Sequence, residues 1–499
     1  MDSFLAALLH IIQPSNLAAV LGGALLGMLS GATPGVSGTM MVVLLIPLTY
    51  TLEPDTAFLL LISVYCSAVF SGSISAILFR TPGAPEAVAT TLDGYELTKQ
   101  GKPHEALGIS VYSSALGGLL GGAALILVAP QLAKIALAFG PPEYFGMAIM
   151  GLSVVTTLGA KNMVKAFLAA LLGLFLATVG IDPMAGIPRF TFGLPSLMSG
   201  IDFIPVLIGL FAISEILRQV MEDTSVKVKL GKIRTSLPSF AMQKRLMPTI
   251  LGGSALGTVI GILPGIGATT AAMVSYSEAV RWSKTPEKFG TGHPEGVAAP
   301  ESSNNAAANG AMVPLLALGI PGSATTAVML GAFILHGLKP GPLLFTEQAE
   351  FINTIFLGTM IANAIILLVA PFFIRGFANI IRIPYPILGP VILVLCIVGS
   401  YAIRNNMMDV WLTLGFGVLG YILEKYHFPL SPIILGIVLG GLAEQEFRRS
   451  LIMSEGDYAI FLNSPIAAVL LGVSLLSFIA PIAVNIYKKR KANVAAPGA

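Results

Sequence analysis

Two proline-glycine elements occur twice in this chain, in the same order, once in each half. The segment 31–38 (GATPGVSG) returns as 261–268 (GILPGIGA), and the tripeptide 81–83 (TPG) returns as 320–322 (IPG). The copies lie about 230 to 240 residues apart in a chain of 499. A unit of about half the chain has therefore been duplicated, and the fold must be built from two structural repeats.

The composition places these repeats in a membrane. Hydrophobic residues make up 55% of the chain, charged residues 11%, and the mean hydropathy is +0.85, whereas soluble domains carry roughly 25% charged residues. Apolar tracts of spanning or near-spanning length cover 56–79, 107–129, 143–159, 166–180, 203–217, 351–374, 384–402, 410–423, 430–443 and 464–487. The sequence therefore predicts an all-α polytopic membrane protein. The net charge of +3 lies in loops and requires no nucleic-acid partner.

The basic residues predict how the two repeats face the bilayer. Most of the 28 Lys and Arg residues fall on the cytoplasmic side if the N-terminus is periplasmic and the segment 218–247 is cytoplasmic. Equivalent loops carry opposite charge, since 50–56 has only acidic charges whereas 281–288 has three basic residues. We therefore predict inverted repeats, although Arg404 and the pair at 448–449 fall on the unfavourable side.

The predicted organisation has four parts. They are a first transmembrane repeat at 1–217, a basic cytoplasmic linker at 218–247, a second transmembrane repeat at 248–463, and an extra C-terminal helix with a basic cytoplasmic tail at 464–499. The C-terminus is then cytoplasmic.

The proline-glycine elements are predicted to break helices inside the membrane. The apolar tracts beside them are short for full spans, which favours helical hairpins with the break at the tip. Proline lacks an N–H and glycine permits positive φ, so each break frees backbone groups that are costly in hydrocarbon unless a ligand, an ion or water meets them.

Helix N-termini that follow such breaks direct partial positive charge at a carboxylate. The predicted substrate-binding residues are Thr33, Pro34, Gly35, Ser37, Gly38, Thr39, Arg80, Thr81, Pro82, Gly83, Pro264, Gly265, Gly267, Thr269, Thr270, Pro321, Gly322, Ser323, Thr325 and Thr326. Close helix packing through small residues is the alternative for these positions. The expected mechanism is that of an elevator-like carrier, in which the Pro-Gly-broken hairpins move against a frame that dimerises.

The segment 300–310 (PESSNNAAANG) is too polar for lipid, and an apolar run to the last break follows it. Amide oxygens at Asn304, Asn305 and Asn309 and the carboxylate of Glu301 could bind the coupling cation, Na⁺ or H⁺. No catalytic residue, cofactor or further metal is predicted. A solvated loop before a helix is the alternative.

Arg80 precedes the break at 81–83 and has three interpretations. Its guanidinium could bind a substrate carboxylate bidentately. It could also be neutralised by Glu86 or extend to the cytoplasmic interface.

Two other classes of function remain open. The segment 35–38 matches the Gly-x-Ser-Gly pattern of rhomboid-type serine proteases. A nucleophilic Ser37 would need a histidine base, yet the five histidines lie in loops or near tract ends, and the second copy has Gly267 in place of the serine. A pore-forming or scaffold subunit is the other alternative, but it would not need matched broken helices.

These motifs resemble the large membrane subunit of the tripartite tricarboxylate transporter family (TctA-type). The similar segments are 31–38, 81–83, 93–95 (DGY), 264–268, and 300–305 leading to 318–322 (LGIPG). The resemblance implies cation-coupled uptake of a di- or tricarboxylate such as citrate across the bacterial inner membrane. It also implies a small membrane subunit and a periplasmic solute-binding protein as partners. Arg80 and Glu86 are charged where relatives are expected to be mostly neutral, which leaves the exact substrate open.

Overall fold

The computed structural model describes residues 2–33, 36–153, 163–221, 236–380 and 385–477. It is 79% helical, as the predicted all-α class requires. Two short strands, β1 (Gly180–Ile181) and β2 (Pro188–Arg189), pair antiparallel and depart from that class. Pro34, Gly35, the middle of the predicted linker (222–235), and the end of the predicted C-terminal helix with the basic tail (478–499) lie outside the described residues.

The helices of the first half begin with a short N-terminal helix and end before the linker. They are α1 (Asp2–Ile11), α2 (Pro14–Ala32), α3 (Gly38–Thr49), α4 (Pro54–Phe79), α5 (Thr91–Lys99), α6 (Pro103–Ala136), α7 (Pro141–Ser153), α8 (Met163–Ala177) and α9 (Phe203–Met221). Single 3₁₀ turns lie at Pro85–Ala87 and Pro195–Leu197, and a π-helical segment lies within α9 at Ile208–Ile213.

The helices of the second half follow a similar order. They are α10 (Phe240–Ile262), α11 (Gly267–Trp282), α12 (Pro294–Gly310), α13 (Met312–Leu318), α14 (Ala324–Leu335), α15 (Leu344–Glu347), α16 (Ala349–Ile380), α17 (Tyr385–Arg404), α18 (Met407–Lys425), α19 (Ser431–Met453), α20 (Ile460–Asn463) and α21 (Pro465–Ser477). Another 3₁₀ turn lies at Pro286–Lys288.

Seven helices among the described residues are long and apolar enough to cross a membrane, namely α2, α4, α6, α9, α10, α16 and α18. The protein is therefore a multi-pass membrane protein. The helices that follow the breaks are shorter, since α3 and α14 have 12 residues each. At about 1.5 Å per residue they cover about 18 Å, which is less than the hydrocarbon core.

Helix α4 and the pair α12–α13 show how the duplicated sequence forms similar structure twice. Proline at the start of α4 and of α12 suits the first helical turn, where its missing N–H has no helical acceptor. The helices end at residues in the left-handed conformation, Arg80 (φ 58°) after α4 and Gly319 (φ 72°) after α13. Each end leads directly into a break. The inversion of one copy relative to the other stays a prediction.

The chain divides into two compact units. The first consists of Met1–Leu137 with Ile204–Tyr421, and the second of Ala138–Phe203 with Ile422–Ala499. Each unit therefore draws segments from both halves of the chain. All four break elements belong to the first unit.

The same type of helix crossing occurs in both units. In the second unit α8 approaches α19 so closely that a Cβ at Gly173 would lie 2.0 Å from the carbonyl oxygen of Ile433. In the first unit α9 approaches α18, and a Cβ at Gly209 would lie 2.5 Å from the carbonyl oxygen of Thr413. A Cβ at Gly436 would likewise meet α8. Gly209 and Gly436 each lie four residues after a proline. Small residues thus serve helix packing at these positions.

An ion-pair network holds the β hairpin of the second unit. Arg189 binds Glu444 through two bonds of 2.7 and 3.2 Å, and Arg448 contacts both carboxylate oxygens of Asp182 at 2.8 and 3.0 Å. The pKa of Asp182 is lowered to about 2, first by the backbone N–H groups of the hairpin and then by Arg448. The network fixes the hairpin to α19.

Candidate functional site

The two breaks within each half lie against each other. In the second half the Gly265 N–H donates to the carbonyl oxygen of Gly322 at 2.9 Å. In the first half the approach is closer, since a Cβ at Gly83 would lie 1.9 Å from the carbonyl oxygen of Gly31. The sequence-predicted elements are therefore brought together in pairs.

The breaks of the two halves also meet each other. The hydroxyls of Thr39 and Thr325 lie 2.7 Å apart, although 286 positions separate them in the chain. Thr39 is the second residue of α3, and Thr325 is the second residue of α14. The N-termini of two short helices, one from each half, therefore converge at one place.

Serine side chains cap these two helices but leave other N–H groups free of helical acceptors. Ser37 accepts from the Met40 N–H at 3.1 Å, and Ser323 forms a capping box with Thr326. The first i to i−4 bonds end on the carbonyl oxygens of Ser37 and Ser323. The N–H groups of residues 38–39 and 324–325 precede those bonds and have no acceptor within their helices. The positive ends of both helix dipoles lie here, which favours an anion.

Equivalent residues reach across from one half to the break of the other. The Tyr65 hydroxyl of α4 lies 3.3 Å from the Ser323 hydroxyl. The Asn304 amide of α12 donates to the carbonyl oxygen of Glu86 at 3.2 Å. Tyr65 is a contact that the sequence analysis missed, because a tyrosine inside an apolar tract gives no signal of a partner in the other half.

The predicted substrate-binding residues differ in exposure. The half-exposed residues are Thr33, Ser37, Gly38, Thr39, Thr81, Pro82, Gly83, Pro264, Gly267, Thr269 and Ser323. The buried residues are Gly265, Pro321, Gly322, Thr325 and Thr326. The exposed residues are Arg80 and Thr270. Pro34 and Gly35 lie outside the described residues. The half-exposed group shows that the protein covers the region of the breaks only in part.

Arg80 lies at the end of α4 with its guanidinium 5.9 Å from the centre of the Tyr95 ring. Among the ion pairs of the described residues, none joins Arg80 to Glu86. Its role as a substrate ligand stays a prediction. The predicted Thr269 and Thr270 lie in the first turn of α11, where no side chain caps the helix.

The polar segment 300–310 is part of helix α12, not a solvated loop. Residues 296–310 are all buried. Glycines of two neighbouring helices allow this close packing: a Cβ at Gly117 of α6 would lie 2.2 Å from the Ser302 carbonyl oxygen, and one at Gly257 of α10 would lie 2.2 Å from that of Ser303. A helix with buried polar side chains therefore passes through the interior of the first unit.

The carboxylate of Glu301 accepts hydrogen bonds only from hydroxyls in the described structure. Thr90 donates to Oε1, while Ser114 at 2.7 Å and Ser110 at 3.1 Å donate to Oε2. Ser110 in turn lies 2.6 Å from the Ser73 hydroxyl. These residues were missed by the sequence analysis, although Ser110 and Ser114 are spaced by one helical turn.

The three asparagines of α12 have different surroundings. The Asn305 amide donates to the Glu301 carbonyl oxygen at 3.1 Å and to Asn304 at 2.8 Å, while its own Oδ1 is buried without a partner among the described residues. The Asn309 amide donates to the Gly118 carbonyl oxygen at 2.6 Å. Glu301 and Asn309 therefore both face α6, as their spacing of two helical turns requires.

Asp93 joins α5 to the N-terminus of α12. Its Oδ1 accepts from the N–H groups of Gly292 at 2.8 Å and His293 at 2.7 Å, and its Oδ2 accepts from the Tyr276 hydroxyl at 2.9 Å. A carboxylate at a helix N-terminus is favourable. Desolvation lowers the pKa of His293, so the neutral imidazole is favoured beside this contact. The 93–95 motif thus has a structural role here.

The arrangement does not favour a serine protease. The Ser37 hydroxyl is engaged as the cap of α3. Among the hydrogen bonds of the described residues none joins Ser37 to a histidine; His336, for example, lies 3.3 Å from the Thr49 hydroxyl. No group of three or more His, Cys, Asp or Glu side chains suited to a metal occurs in the described part of the chain.

Known proteins are similar to this chain over most of its length. Residues 17–435 match the model of the Tripartite tricarboxylate transporter TctA family. An uncharacterized 52.8 kDa protein in the TAR-I ttuC' 3' region of Agrobacterium vitis is 37% identical over 479 residues, which cover 96% of this chain and 95% of the relative. An uncharacterized protein in the TAR-II ttuC' 3' region of the same organism is 41% identical over 234 residues, covering 47% of this chain and 97% of the relative. No solved structure gives a significant match.

Proposed function

The chain belongs to the tripartite tricarboxylate transporter TctA family, and from this membership we propose that it performs secondary active uptake of a di- or tricarboxylate, such as citrate, across the bacterial inner membrane. A cation gradient drives the uptake. A periplasmic solute-binding protein delivers the substrate, and a small membrane subunit completes the complex. The N-terminus is periplasmic and the C-terminus cytoplasmic.

The convergence of α3 and α14 at the Thr39–Thr325 contact is the observation that supports this proposal most strongly. Two helix N-termini repel each other unless a negative charge lies between or beside them. A substrate carboxylate supplies that charge and accepts hydrogen bonds from the N–H groups at 38–39 and 324–325. One of the two hydroxyls donates to the other, and the proton of the accepting hydroxyl is free to donate to the same carboxylate.

The transport mechanism that we propose is elevator-like. All four breaks and the buried polar helix α12 belong to the first compact unit, so this unit carries the substrate. The second unit belongs to the frame, which forms a homodimer. The two halves act as inverted repeats, which makes the substrate site accessible alternately from each side.

The coupling cation binds in the region of Glu301, Asn304, Asn305 and Asn309. These side chains are all buried in α12, and the Asn304 bond to the Glu86 carbonyl oxygen links this helix to the segment after the first-half break. Occupation by a cation and occupation by the substrate are coupled through that link.

Uptake by the reconstituted complex tests the proposal. Valine in place of Thr39 or Thr325 keeps the shape of the side chain and removes the hydroxyl. Since a hydrogen bond to a charged group contributes about 1.5–3 kcal/mol, each substitution should raise the KM for the carboxylate by about 10- to 100-fold. The matched control is Thr413→Val, whose hydroxyl lies 2.6 Å from that of Ser400 within the same unit and away from the breaks.

An unchanged KM in Thr39→Val and in Thr325→Val would remove the contact from the substrate site. Flux that never saturates and is independent of the binding protein would show a pore in place of a carrier. Screening di- and tricarboxylates with and without Na⁺ at fixed pH then identifies the substrate.

A further inference from the structure

The charge on Glu301 has an unusual environment for a buried carboxylate. Its side chain is fully buried, and its bonded partners are the neutral hydroxyls of Thr90, Ser110 and Ser114. Among the described residues no Lys, Arg or His pairs with it. An unpaired buried charge is costly, whereas the neutral acid is tolerated.

The hydroxyls suit both protonation states of this carboxyl group. Each can donate to a carboxylate and can also accept from a carboxylic acid, because a hydroxyl is both donor and acceptor. Ser110 and Ser114 donate directly to Oε2, at 3.1 and 2.7 Å. A proton bound at Oε1 leaves both of these bonds in place, whereas a metal ion bound at Oε2 would require the hydroxyls to turn their protons away.

The hydrogen bond from Thr90 connects this group to a break. Thr90 lies seven residues after Gly83, and its hydroxyl donates to Oε1 of Glu301. In the same segment the Glu86 carbonyl oxygen accepts from Asn304. Helix α12 therefore holds the segment that follows the first-half break at two points, and one of them depends on the charge of Glu301.

We propose that the coupling ion is H⁺ and that Glu301 carries it. This inference rests on the proposed function and names its driving ion. A proton taken from water on one side forms an O–H bond at Oε1, and the same proton returns to water on the other side. Protonation at Oε1 reverses the hydrogen bond from Thr90, because the carboxylic acid then donates to the Thr90 hydroxyl, which must turn its own proton toward another acceptor. The altered bond changes how Glu301 holds the segment between Gly83 and Thr90, which couples the proton to the substrate site.

Few other titratable groups face Glu301 from the elements packed against α12. From α5, Asp93 is engaged with the N–H groups of Gly292 and His293; from α11, Tyr276 donates to Asp93. From the turn at 85–87, Glu86 contacts Asn304 through its backbone. From α4, the Cys66 thiol faces Asn309, two helical turns away. Glu295 and His293 of the α12 N-terminus face Arg245 of α10. None of these is bonded to the Glu301 carboxylate.

Proteoliposomes containing the whole complex test the proposal. A pH gradient with an alkaline interior, in buffers free of Na⁺, drives the accumulation of labelled citrate. A pH-sensitive dye in the lumen records the protons that enter with the substrate. Counterflow of labelled against unlabelled citrate at equal pH needs binding and translocation but no net proton movement. We expect Glu301→Gln to lower accumulation at least about tenfold while counterflow persists.

Two further variants make the result specific. Ser114→Ala keeps the carboxyl group but removes one donor to its charged form, so the midpoint of the pH dependence of uptake should move to higher pH. The matched control is Glu295→Gln, a half-buried acid on the same helix that pairs with Arg245 at 3.6 Å; it should accumulate citrate like the wild type.

Each outcome separates the two proposals. Wild-type accumulation that follows a Na⁺ gradient at equal pH, with no dye signal, would overturn the assignment of H⁺. So would wild-type accumulation by Glu301→Gln, or an unchanged pH midpoint in Ser114→Ala if Glu301→Gln does not fold. Absence of carboxylate counterflow in the wild-type complex would instead contradict the transport function itself.

Discussion

Alanine at Gly83 tests whether the close contact between the two first-half breaks is functional. A Cβ there would lie 1.9 Å from the Gly31 carbonyl oxygen and 2.7 Å from the Ser75 hydroxyl. Gly83 is not among the glycines with positive φ, so alanine is compatible with its backbone conformation. The expected effect is therefore steric.

These distances determine how far the two first-half breaks must move apart in Gly83→Ala. Carbon–oxygen contacts below about 3.2 Å are strongly repulsive, so the two breaks must separate by more than about 1 Å. Overpacking of this kind costs about 1–3 kcal/mol of stability. A misplacement of about 1 Å at a reacting site can lower the rate about 100-fold, and we expect a similar loss in kcat/KM for carboxylate uptake.

The assay is initial-rate uptake in proteoliposomes with equal amounts of folded complex, checked by size-exclusion chromatography and thermal unfolding. The matched control is Gly22→Ala in α2, where a Cβ would meet nothing within 4 Å. It should transport like the wild type. If Gly83→Ala does so as well, and folds normally, the contact between Gly83 and Gly31 has no part in transport.

Three further predictions concern local structure. Ser323→Ala removes the capping box with Thr326 and should lower stability by about 0.5–2 kcal/mol in thermal unfolding; an unchanged melting temperature would contradict the cap. Arg80→Gly places a glycine where the second half has the equivalent Gly319. Because glycine tolerates the φ of 58°, this substitution should raise the free energy of unfolding by about 1 kcal/mol, whereas Arg80→Ala should not. Because the pKa of Asp182 is lowered from 3.8 to about 2, protease resistance of the β hairpin should hold from neutral pH to about pH 4 and be lost toward pH 2; Asp182→Asn should lose it at neutral pH.

The sequence predicted the features that depend on local chemistry. Helices end at 31–38 and at 320–322, where proline and glycine occur side by side, whereas a single proline such as Pro47 lies inside a helix. The three asparagines of 300–310 indicate a polar site from the sequence alone, because few buried segments carry so many amides. The family resemblance, drawn from the same motifs, is confirmed by the match over 17–435.

Other features depend on contacts between distant segments and gave no local signal. The Thr39–Thr325 contact joins the two halves, and no single motif specifies which threonine meets which. Ser37 and Ser323 were predicted as ligands, and the structure also uses them as helix caps, a role that their residue type fits equally well. The hydroxyls around Glu301 come from three different helices or turns and become a group only after folding.

A structure of the tripartite complex determined with a brominated di- or tricarboxylate would test the central claim most directly. The account predicts bromine density beside the Thr39–Thr325 contact, with a carboxylate within hydrogen-bond distance of the N–H groups at 38–39 and 324–325. Substrate density that avoids both helix N-termini, in a complex that takes up the same compound, would contradict it.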